Sequence, residues 1–341
     1  MRKLLWLFCF ALFSGAPASA QDGDTSRDIL TYNINSGGSG SKWDFSYAQL
    51  TDLHIGYNTT DYGTPGYDDL PPDGDEGTPA KNLRAAVNRI NSSKDSLKIK
   101  FVAVTGDLTQ HAQKSEYLKA REILDSLDVP YVPVIGNHDV WPYSVGGAVA
   151  PAPAGDEYFK DIFAPVFSRL RGVMPGWDDG TRLSRTTDPV TNTASYFQNY
   201  AFRYGGYAFA ALDFIGRTYK PDGGPKTGYK IDFFDFPGGT WHWFKNHYAN
   251  SEAGPKHLIV LSHFPLTRET WQGYFLFSPQ EYAFVADYLG RTPHIGLWNC
   301  GHVHRNTDYP VITSDGTTLC PVVETASNRE KITIRLVKVW D

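Results

Sequence analysis

The feature that most constrains the fold is a repeated order in which an extended apolar segment runs directly into a short polar motif. Three such segments occur in the first 140 residues, at 45–50, 100–105 and 131–135. The stretches between them, 80–90 and 115–127, have the apolar spacing of helices. Strands that alternate with helices predict βαβ units around a largely parallel sheet, and therefore an α/β fold.

The polar motifs all stand at the carboxyl ends of these predicted strands. Two later segments, 257–261 and 294–298, end in the same way. In open α/β sheets, ligands bind beyond the carboxyl ends of the strands. Core packing does not account for so many polar groups at strand ends. The candidate site residues are therefore Asp52, His54, Asp107, Asn137, His138, His263, His302 and His304.

The rest of the chain predicts an insertion and several further strands. Residues 140–193 are rich in Gly, Pro and Ala and contain a helical piece at 158–170, which predicts an insertion long enough to cap the site. The segments 195–203 and 207–213 are typical of a hairpin. The C-terminal stretch 310–339 predicts three more strands.

The amino terminus has the pattern of a cleaved secretory signal. Arg2 and Lys3 precede a short apolar run, and Ala18 and Ala20 provide the small residues of a cleavage site. We expect a signal peptide at 1–20, a flexible Gly/Ser-rich lead-in at 21–44 and one domain at 45–341. The sequence predicts a secreted or periplasmic protein with no transmembrane segment after signal cleavage.

Composition supports a large folded domain and excludes some partners. An apolar fraction of 41% is ample for a core. The formal net charge of −5 and the lack of a basic patch disfavour a nucleic-acid partner. Once the signal is removed, Cys300 and Cys320 remain; in an oxidising compartment they either form a disulfide or stay as two buried thiols.

The donor types in the motifs indicate metal binding. Carboxylate, imidazole and amide groups together suit divalent or trivalent ions such as Mn, Fe or Zn. Paired metal ions can clamp the attacking and the departing oxygen when a phosphorus centre is displaced in line. The motif set therefore favours a site for two metal ions.

The five motif blocks together resemble the calcineurin-like metallophosphoesterase superfamily. They occur in the order of that family, and the resemblance spans most of the chain from residue 45 onwards. It implies a four-layer αββα sandwich of two mixed β-sheets flanked by helices. The blocks are Asp52-x-His54, Gly106-Asp107, Gly136-Asn137-His138-Asp139, His263 and Gly301-His302-x-His304.

The resemblance also implies a role for each matched residue. The first metal ion would be held by Asp52, His54 and His304. The second would be held by Asn137, His263 and His302. Asp107 would bridge the two ions, and a metal-bridging hydroxide would attack the phosphorus in line.

Three residues beside the ligands have implied supporting roles. His138 would either protonate the leaving oxygen or stabilise charge in the transition state. Thr51 and Asp139 would orient ligands. The block at Asp107 also departs from two branches of the superfamily.

Gln110 stands where purple acid phosphatases carry a tyrosine, and the arginine of the Ser/Thr protein phosphatase block is missing. The segment 106–109 is nearer to cyclic-nucleotide phosphodiesterases and broad phosphoesterases. The expected partner is a small phosphoester, such as a nucleotide or a lipid head group, with monoester and diester both open. The alternative is a secreted metal or phosphate-ligand binding protein without catalysis.

Overall fold

A computed structural model describes most of the chain. The described residues are 29–35, 41–58, 62, 75–140, 155–190, 192, 194–217, 231–249, 257–269, 276–291 and 295–340. The predicted signal peptide and much of the predicted lead-in lie outside these ranges, as do residues 141–154 of the predicted insertion.

The elements in the described residues are named in chain order. The strands are β1 (Ile29–Asn35), β2 (Trp43–Leu50), β3 (Ile99–Thr105), β4 (Tyr131–Val134), β5 (Arg185–Thr187), β6 (Ala194–Tyr196), β7 (Tyr200–Tyr204), β8 (Tyr207–Leu212), β9 (His257–Ser262), β10 (Ile295–Cys300), β11 (Thr307–Ile312), β12 (Thr318–Glu324) and β13 (Ile334–Trp340). The helices are α1 (Gly77–Ser93), α2 (Lys114–Leu124), α3 (Asn137–Val140), α4 (Gly155–Val173), α5 (Thr240–Phe244) and α6 (Pro279–Leu289), with a π-helical turn at Lys245–Ala249.

Two mixed sheets make up the centre of the fold. The first has the strand order β1-β13-β2-β3-β4, and the second has the order β11-β12-β10-β9-β8-β7. In the first sheet β2, β3 and β4 run parallel, and in the second β8, β9, β10 and β12 do. The central strands β3 and β9 are nearly continuous apolar runs, as expected for parallel strands covered on both faces.

The two sheets pack face to face through aromatic side chains. The Tyr47 ring stacks on Phe101 of its own sheet and meets Phe209 of the other sheet edge-on, with ring centroids 5.6 Å apart. The Tyr47 hydroxyl also donates a hydrogen bond to Asn299 Oδ1 at 3.2 Å. Each such aromatic group contributes about 1.5 to 3 kcal/mol through burial, so this layer fixes one sheet on the other.

Helices cover the outer faces of both sheets. Helix α1 contacts α2, which contacts α4 beside the first sheet. Over the second sheet, Trp298 of β10 stacks on Phe214, Phe214 contacts Trp241 of α5, and Trp241 meets Tyr288 of α6 edge-on. The result is the predicted α/β sandwich of two mixed sheets flanked by helices, and this prediction is confirmed.

Helix α6 shows how local sequence sets an element's ends. Ser278 Oγ accepts a hydrogen bond from Glu281 N, and Glu281 Oε2 accepts one from Ser278 N, which forms a capping box. Pro279 occupies the first turn, where its missing N–H costs no helical hydrogen bond.

Most predicted strands are observed, but the predicted lead-in is wrong in part. Residues 29–35 form β1, which pairs in parallel with β13 along its whole length. The alternation of exposed Thr31 and Asn33 with less exposed Tyr32 and Ile34 is a strand pattern inside a polar segment. Pairing with β1 covers the edge that β13 would otherwise expose.

The predicted strand 195–203 is also wrong as a single element. It divides into β6, which pairs with β5, and β7, which pairs with β8. Between them, Gln198 N donates to Asp213 Oδ2 and Asp213 N donates to Asn199 Oδ1. These side-chain contacts replace the ladder hydrogen bonds at this point.

The described part of the predicted insertion belongs to the domain core. Helix α4 contacts α2 and β4, and its Phe159, Phe163 and Phe167 side chains are fully buried. This part therefore forms the flanking helical layer. A capping role for the remaining residues stays a prediction.

The possible disulfide is not present, and the buried-thiol alternative holds. Cys300 and Cys320 are both free and buried. In the parallel pairing of β10 with β12, Cys300 lies opposite Glu324, four residues from Cys320. Four residues of strand span about 13 Å, well beyond the Cα separation of about 7 Å that limits a disulfide.

Candidate metal centre

The carboxyl ends of five strands bring the predicted site residues together. Asp52 and His54 follow β2, Asp107 follows β3, and Asn137 begins α3 directly after β4. From the second sheet, His263 follows β9, and His302 and His304 follow β10. Because these strands run parallel within each sheet, the side chains meet at one edge of the sandwich.

One group of ligand atoms consists of Asp52, His54 and His304. Asp52 Oδ1 lies 3.1 Å from His304 Nε2 and 3.8 Å from His54 Nε2. The two Nε2 atoms are 3.2 Å apart. One carboxylate oxygen and two ring nitrogens thus point at a common position.

A second group consists of Asp107, His263 and His302, whose candidate ligand atoms lie within 4.8 Å of one another. His263 Nε2 is 3.2 Å from Asp107 Oδ2 and 3.1 Å from Asn137 Oδ1. Asn137 therefore adds an amide oxygen to this group.

Asp107 lies between the two groups. Its Oδ2 is 3.2 Å from His263 Nε2 of the second group and 3.7 Å from His54 Nε2 of the first. Its Oδ1 accepts a hydrogen bond from His138 N at 2.8 Å, which fixes the orientation of the carboxylate. Asp107 therefore lies within reach of candidate ligand atoms of both groups.

The hydrogen bonds around Asp52 leave one oxygen directed into the site. Asp52 Oδ2 accepts from Thr51 Oγ1 at 2.8 Å and from His302 N at 3.0 Å. Asp52 Oδ1 is buried; His304 Nε2 lies 3.1 Å away, but the contact lacks the geometry of a hydrogen bond. A buried carboxylate oxygen without a well-aligned donor favours a positive partner, so the donor set fits metal binding.

Two further contacts orient ligands in the second group. His263 Nδ1 donates to Thr105 O at 2.9 Å, which leaves Nε2 for coordination. The Asp139 carboxylate accepts four hydrogen bonds, which tie the loop of Asp107 to the loop of Asn137. The donors are Leu108 N, Thr109 N and Thr109 Oγ1 beside Asp107, and Gly136 N beside Asn137.

The backbone of the ligand loops is strained. Five candidate ligands have φ in the left-handed region, which costs about 1 to 3 kcal/mol for each residue other than glycine. They are Asp52 (51°), His54 (47°), Asp107 (51°), His302 (77°) and His304 (60°). Their clustering at one edge indicates a functional site.

Only glycine fits at two positions beside these residues, because a Cβ atom there would clash with their side chains. A Cβ at Gly301 would lie 2.0 Å from Thr51 Oγ1 and 2.4 Å from Asp52 Oδ2. A Cβ at Gly106, whose φ is 95°, would lie 2.4 Å from His263 Nδ1. The glycines of the sequence blocks therefore let the ligand loops approach closely.

The pKa shifts of three buried groups, His54, His302 and Asp107, suit metal binding. Burial, and after it the charge of His138, holds the pKa of His54 well below its usual range. Burial lowers the pKa of His302 to about 3. Burial opposes ionisation of Asp107, but His263 and other neighbours outweigh it and lower the Asp107 pKa. Neutral imidazoles and ionised carboxylates are the forms that coordinate metal ions.

The partners of His263 and His304 shift their pKa values upwards. Burial opposes a charge on His263, but Asp107 outweighs it and raises the pKa to about 9. Burial likewise lowers the pKa of His304 and Asp52 raises it, with a net upward shift, while Arg329 is among the groups that lower it. Metal binding at these two histidines would therefore displace a proton.

His138 sits at the rim between the two loops. Its Nδ1 donates to Gln110 O at 2.8 Å, and its ring centroid is 4.7 Å from that of His54. The remaining nitrogen, Nε2, belongs to the side of the ring away from that carbonyl. His138 also has a ring nitrogen within 4.8 Å of the ligand atoms of His54 and Asp107.

Glu116 and Arg329 were not found by sequence reasoning. Buried Glu116 accepts hydrogen bonds from His111 N and Gln113 N, and its Oε1 lies 2.9 Å from His111 Nδ1. A glutamate three residues after the N-cap residue, Gln113, was the available signal, because this spacing is typical of a capping box. No local sequence pattern identifies Arg329 as a candidate site residue.

Comparison with known sequences identifies the family. The profile described as calcineurin-like phosphoesterase matches residues 45–306. The chain belongs to this family. Together with the ligand groups, membership makes this site that of a metal-dependent phosphoesterase in the general sense. A search of curated proteins gave no match.

Several solved structures are similar to this metallophosphoesterase. A dimetal phosphatase from Danio rerio has 13% identity and a TM-score of 0.48, with 85% of this chain and 89% of that chain covered. A purple acid phosphatase from yellow lupin has 15% identity and a TM-score of 0.45, with coverages of 82% and 43%. A phosphopantetheinyl hydrolase from Mycobacterium tuberculosis has 13% identity and a TM-score of 0.41, with coverages of 84% and 90%.

No helix in the described part of this metallophosphoesterase has both the length and the apolar character needed to cross a membrane.

Proposed function

We propose that this protein hydrolyses small phosphoric esters with two metal ions of the Mn, Fe or Zn class. The observation that carries the proposal is the position of Asp107 Oδ2, which lies between His54 of one ligand group and His263 of the other. Bound ions would supply Lewis-acid charge at phosphorus and lower the pKa of an attacking water.

The ligands divide into two sets in this proposal. Asp52, His54 and His304 would hold one ion. Asn137, His263 and His302 would hold the other. The Asp107 carboxylate lies within 3.7 Å of His54 of the first set and 3.2 Å of His263 of the second, so it would be the ligand common to both.

His138 moves a proton in the proposed reaction. Gln110 O holds its Nδ1–H, so the ring keeps one orientation while Nε2–H donates its proton to the leaving oxygen. The same donor stabilises negative charge on that oxygen as the bond to phosphorus breaks. Asp107 supports this geometry because its Oδ1 holds the backbone N–H of His138.

The proposed setting is outside the cytoplasm. Its support is the charged, apolar and small-residue order of residues 1–20. Expression of the full chain, followed by amino-terminal sequencing of the exported protein, tests this part: a mature terminus after Ala20 supports export, and an intact Met1 in the cytoplasmic fraction refutes it.

Turnover of two model esters tests the function. Metal-stripped protein is assayed with p-nitrophenyl phosphate and with bis-p-nitrophenyl phosphate while Mn, Fe, Zn, Co or Mg is added back singly. Metal-restored cleavage supports the proposal, and the ratio of the two rates ranks monoesters against diesters. No cleavage by protein that retains two bound ions would favour the alternative, a binding protein without catalysis.

A further inference from the structure

The loop after β12 is hydrogen-bonded directly to the segment after β2 that carries Asp52. Asn328 N donates to Thr51 O at 3.1 Å, and Ser327 Oγ donates to Asp52 O at 2.8 Å. Asn82 Nδ2 of α1 donates to the carbonyl oxygens of Asn328 and Arg329. The backbone of Arg329 is therefore fixed relative to Asp52.

The Arg329 side chain is held over a residue of the first ligand loop. Its guanidinium carbon lies 4.0 Å from the ring centroid of Tyr57. Tyr57 N in turn donates to His54 O at 2.9 Å. This cation–π contact and the backbone hydrogen bonds place a positive charge over Tyr57, in the loop that carries Asp52 and His54.

The guanidinium of Arg329 has a hydrogen-bond donor that no described residue uses. Its Nη2 donates to exposed Glu330 at 2.6 Å. Its Nε is buried and has no hydrogen-bond partner among the described residues. The side chain as a whole is 17% exposed. A buried guanidinium donor without an acceptor is costly, and a planar guanidinium beside a ligand site is suited to a phosphate or carboxylate.

We propose that Arg329, held by Tyr57, binds a second anionic group of the substrate, such as the neighbouring phosphate of a diphosphate ester. This inference rests on the proposed function, because it assigns the scissile phosphate to the metal ions. It makes Arg329 a specificity-determining residue: esters with a second anion next to the scissile phosphate bind more tightly than esters with a neutral group.

Two ligands that are not hydrolysed test the assignment. Methylphosphonate carries one anionic group and methylenediphosphonate carries two. Their dissociation constants are measured by calorimetry on Mn-loaded wild-type protein, R329Q and R329K. The matched control is R171Q, because Arg171 is also paired with a carboxylate, Asp179, but lies near the far end of α4. Metal content is measured after each titration, since diphosphonates chelate.

We expect wild-type protein and R171Q to prefer methylenediphosphonate. In R329Q this preference falls by about tenfold or more, the size expected for charged hydrogen bonds. R329K restores part of it because the charge returns without the planar fork. An unchanged preference in R329Q, or equal weakening of both ligands, would overturn the assignment.

The calorimetric test separates this inference from the function. Binding is measured without turnover, so a loss of preference in R329Q supports the anion site even when no ester is cleaved. Conversely, cleavage of p-nitrophenyl esters together with an unchanged preference leaves the function standing and removes Arg329 from substrate binding.

Discussion

Replacing Asp139 with asparagine perturbs the loops of Asp107 and Asn137 through one buried residue that is not itself a candidate ligand. Asp139 Oδ1 accepts from Thr109 N and Thr109 Oγ1, both at 2.9 Å. Asp139 Oδ2 accepts from Gly136 N at 2.8 Å and Leu108 N at 3.1 Å. These donors belong to the loops that carry Asp107 and Asn137.

The size of the effect follows from the number of donors. An asparagine can keep one oxygen, so its Nδ2 must face the donors on the other side. If Nδ2 faces Thr109, the hydroxyl can turn and accept, but Thr109 N is left without an acceptor. An unsatisfied buried donor costs about 1 to 3 kcal/mol, and the remaining bonds lose a charged acceptor. We expect a net loss of about 1 to 2 kcal/mol, because removing a charge that is costly to bury and is repelled by Asp107 offsets part of the lost hydrogen bonding.

The assay is urea unfolding of apo and Mn-loaded protein. Burial, and after it the charge of Asp107, raise the pKa of Asp139 to about 7, so the measurement is made at pH 8, where the carboxylate form predominates. Metal affinity should fall by about 10- to 100-fold because the ligand loops lose their support.

The control is Asp287→Asn. Asp287 also accepts a backbone N–H and a hydroxyl, both from Ser314, but on the surface. That substitution should change the unfolding free energy by no more than about 0.5 kcal/mol. If Asp139→Asn matches this control in stability and in Mn affinity, the view that Asp139 holds the two loops in place is wrong.

Three further predictions concern His138, Asp107 and the two buried cysteines. His138→Gln should keep both metal ions and lower kcat by about 10² to 10⁴; parallel loss of metal in elemental analysis would make His138 structural instead. Asp107→Asn should lose hydrolysis and at least one bound ion, because the shared carboxylate is weakened; wild-type turnover would remove Asp107 from the site. Cys300 and Cys320 should both be labelled by a thiol reagent in denatured, unreduced protein. Both should resist labelling in the folded protein, since both are buried and burial raises the pKa of Cys320 to about 12. A protein mass two hydrogens lower, with no labelling after denaturation, would reveal a disulfide.

The sequence predicts the part of the site that depends on local order. Apolar runs that end in polar motifs place Asp52, Asp107 and His263 at strand ends, and parallel pairing then brings the ends together. This step needs only the alternation of strands and helices. The two-sheet arrangement itself came from the family resemblance, because periodicity does not assign strands to sheets.

The parts that sequence reasoning missed depend on distant contacts. Strand β1 forms because β13, at the other end of the chain, offers it an edge. The position of Arg329 depends on the hydrogen bond that Asn328 N donates to Thr51 O and on the one that Asn82 Nδ2 donates to Arg329 O; neither Thr51 nor Asn82 is near it in sequence. Such pairings leave no periodic signal in a single sequence.

The fate of the cysteines has a similar cause. Cys300 and Cys320 are close along the chain, which left a disulfide open. The parallel register of β10 with β12, which places Cys300 opposite Glu324, decides against it. Register is a tertiary property, set by which faces of the strands are buried.

Stepwise reconstitution tests the central claim most directly. Metal-stripped protein receives Mn in increments of a fraction of an equivalent, and hydrolysis of bis-p-nitrophenyl phosphate or p-nitrophenyl phosphate is measured at each step together with bound metal. A two-ion site around Asp107 predicts little activity at low occupancy and a maximum when two ions are bound per chain. Full activity with one bound ion, or activity that does not depend on metal, would contradict the account.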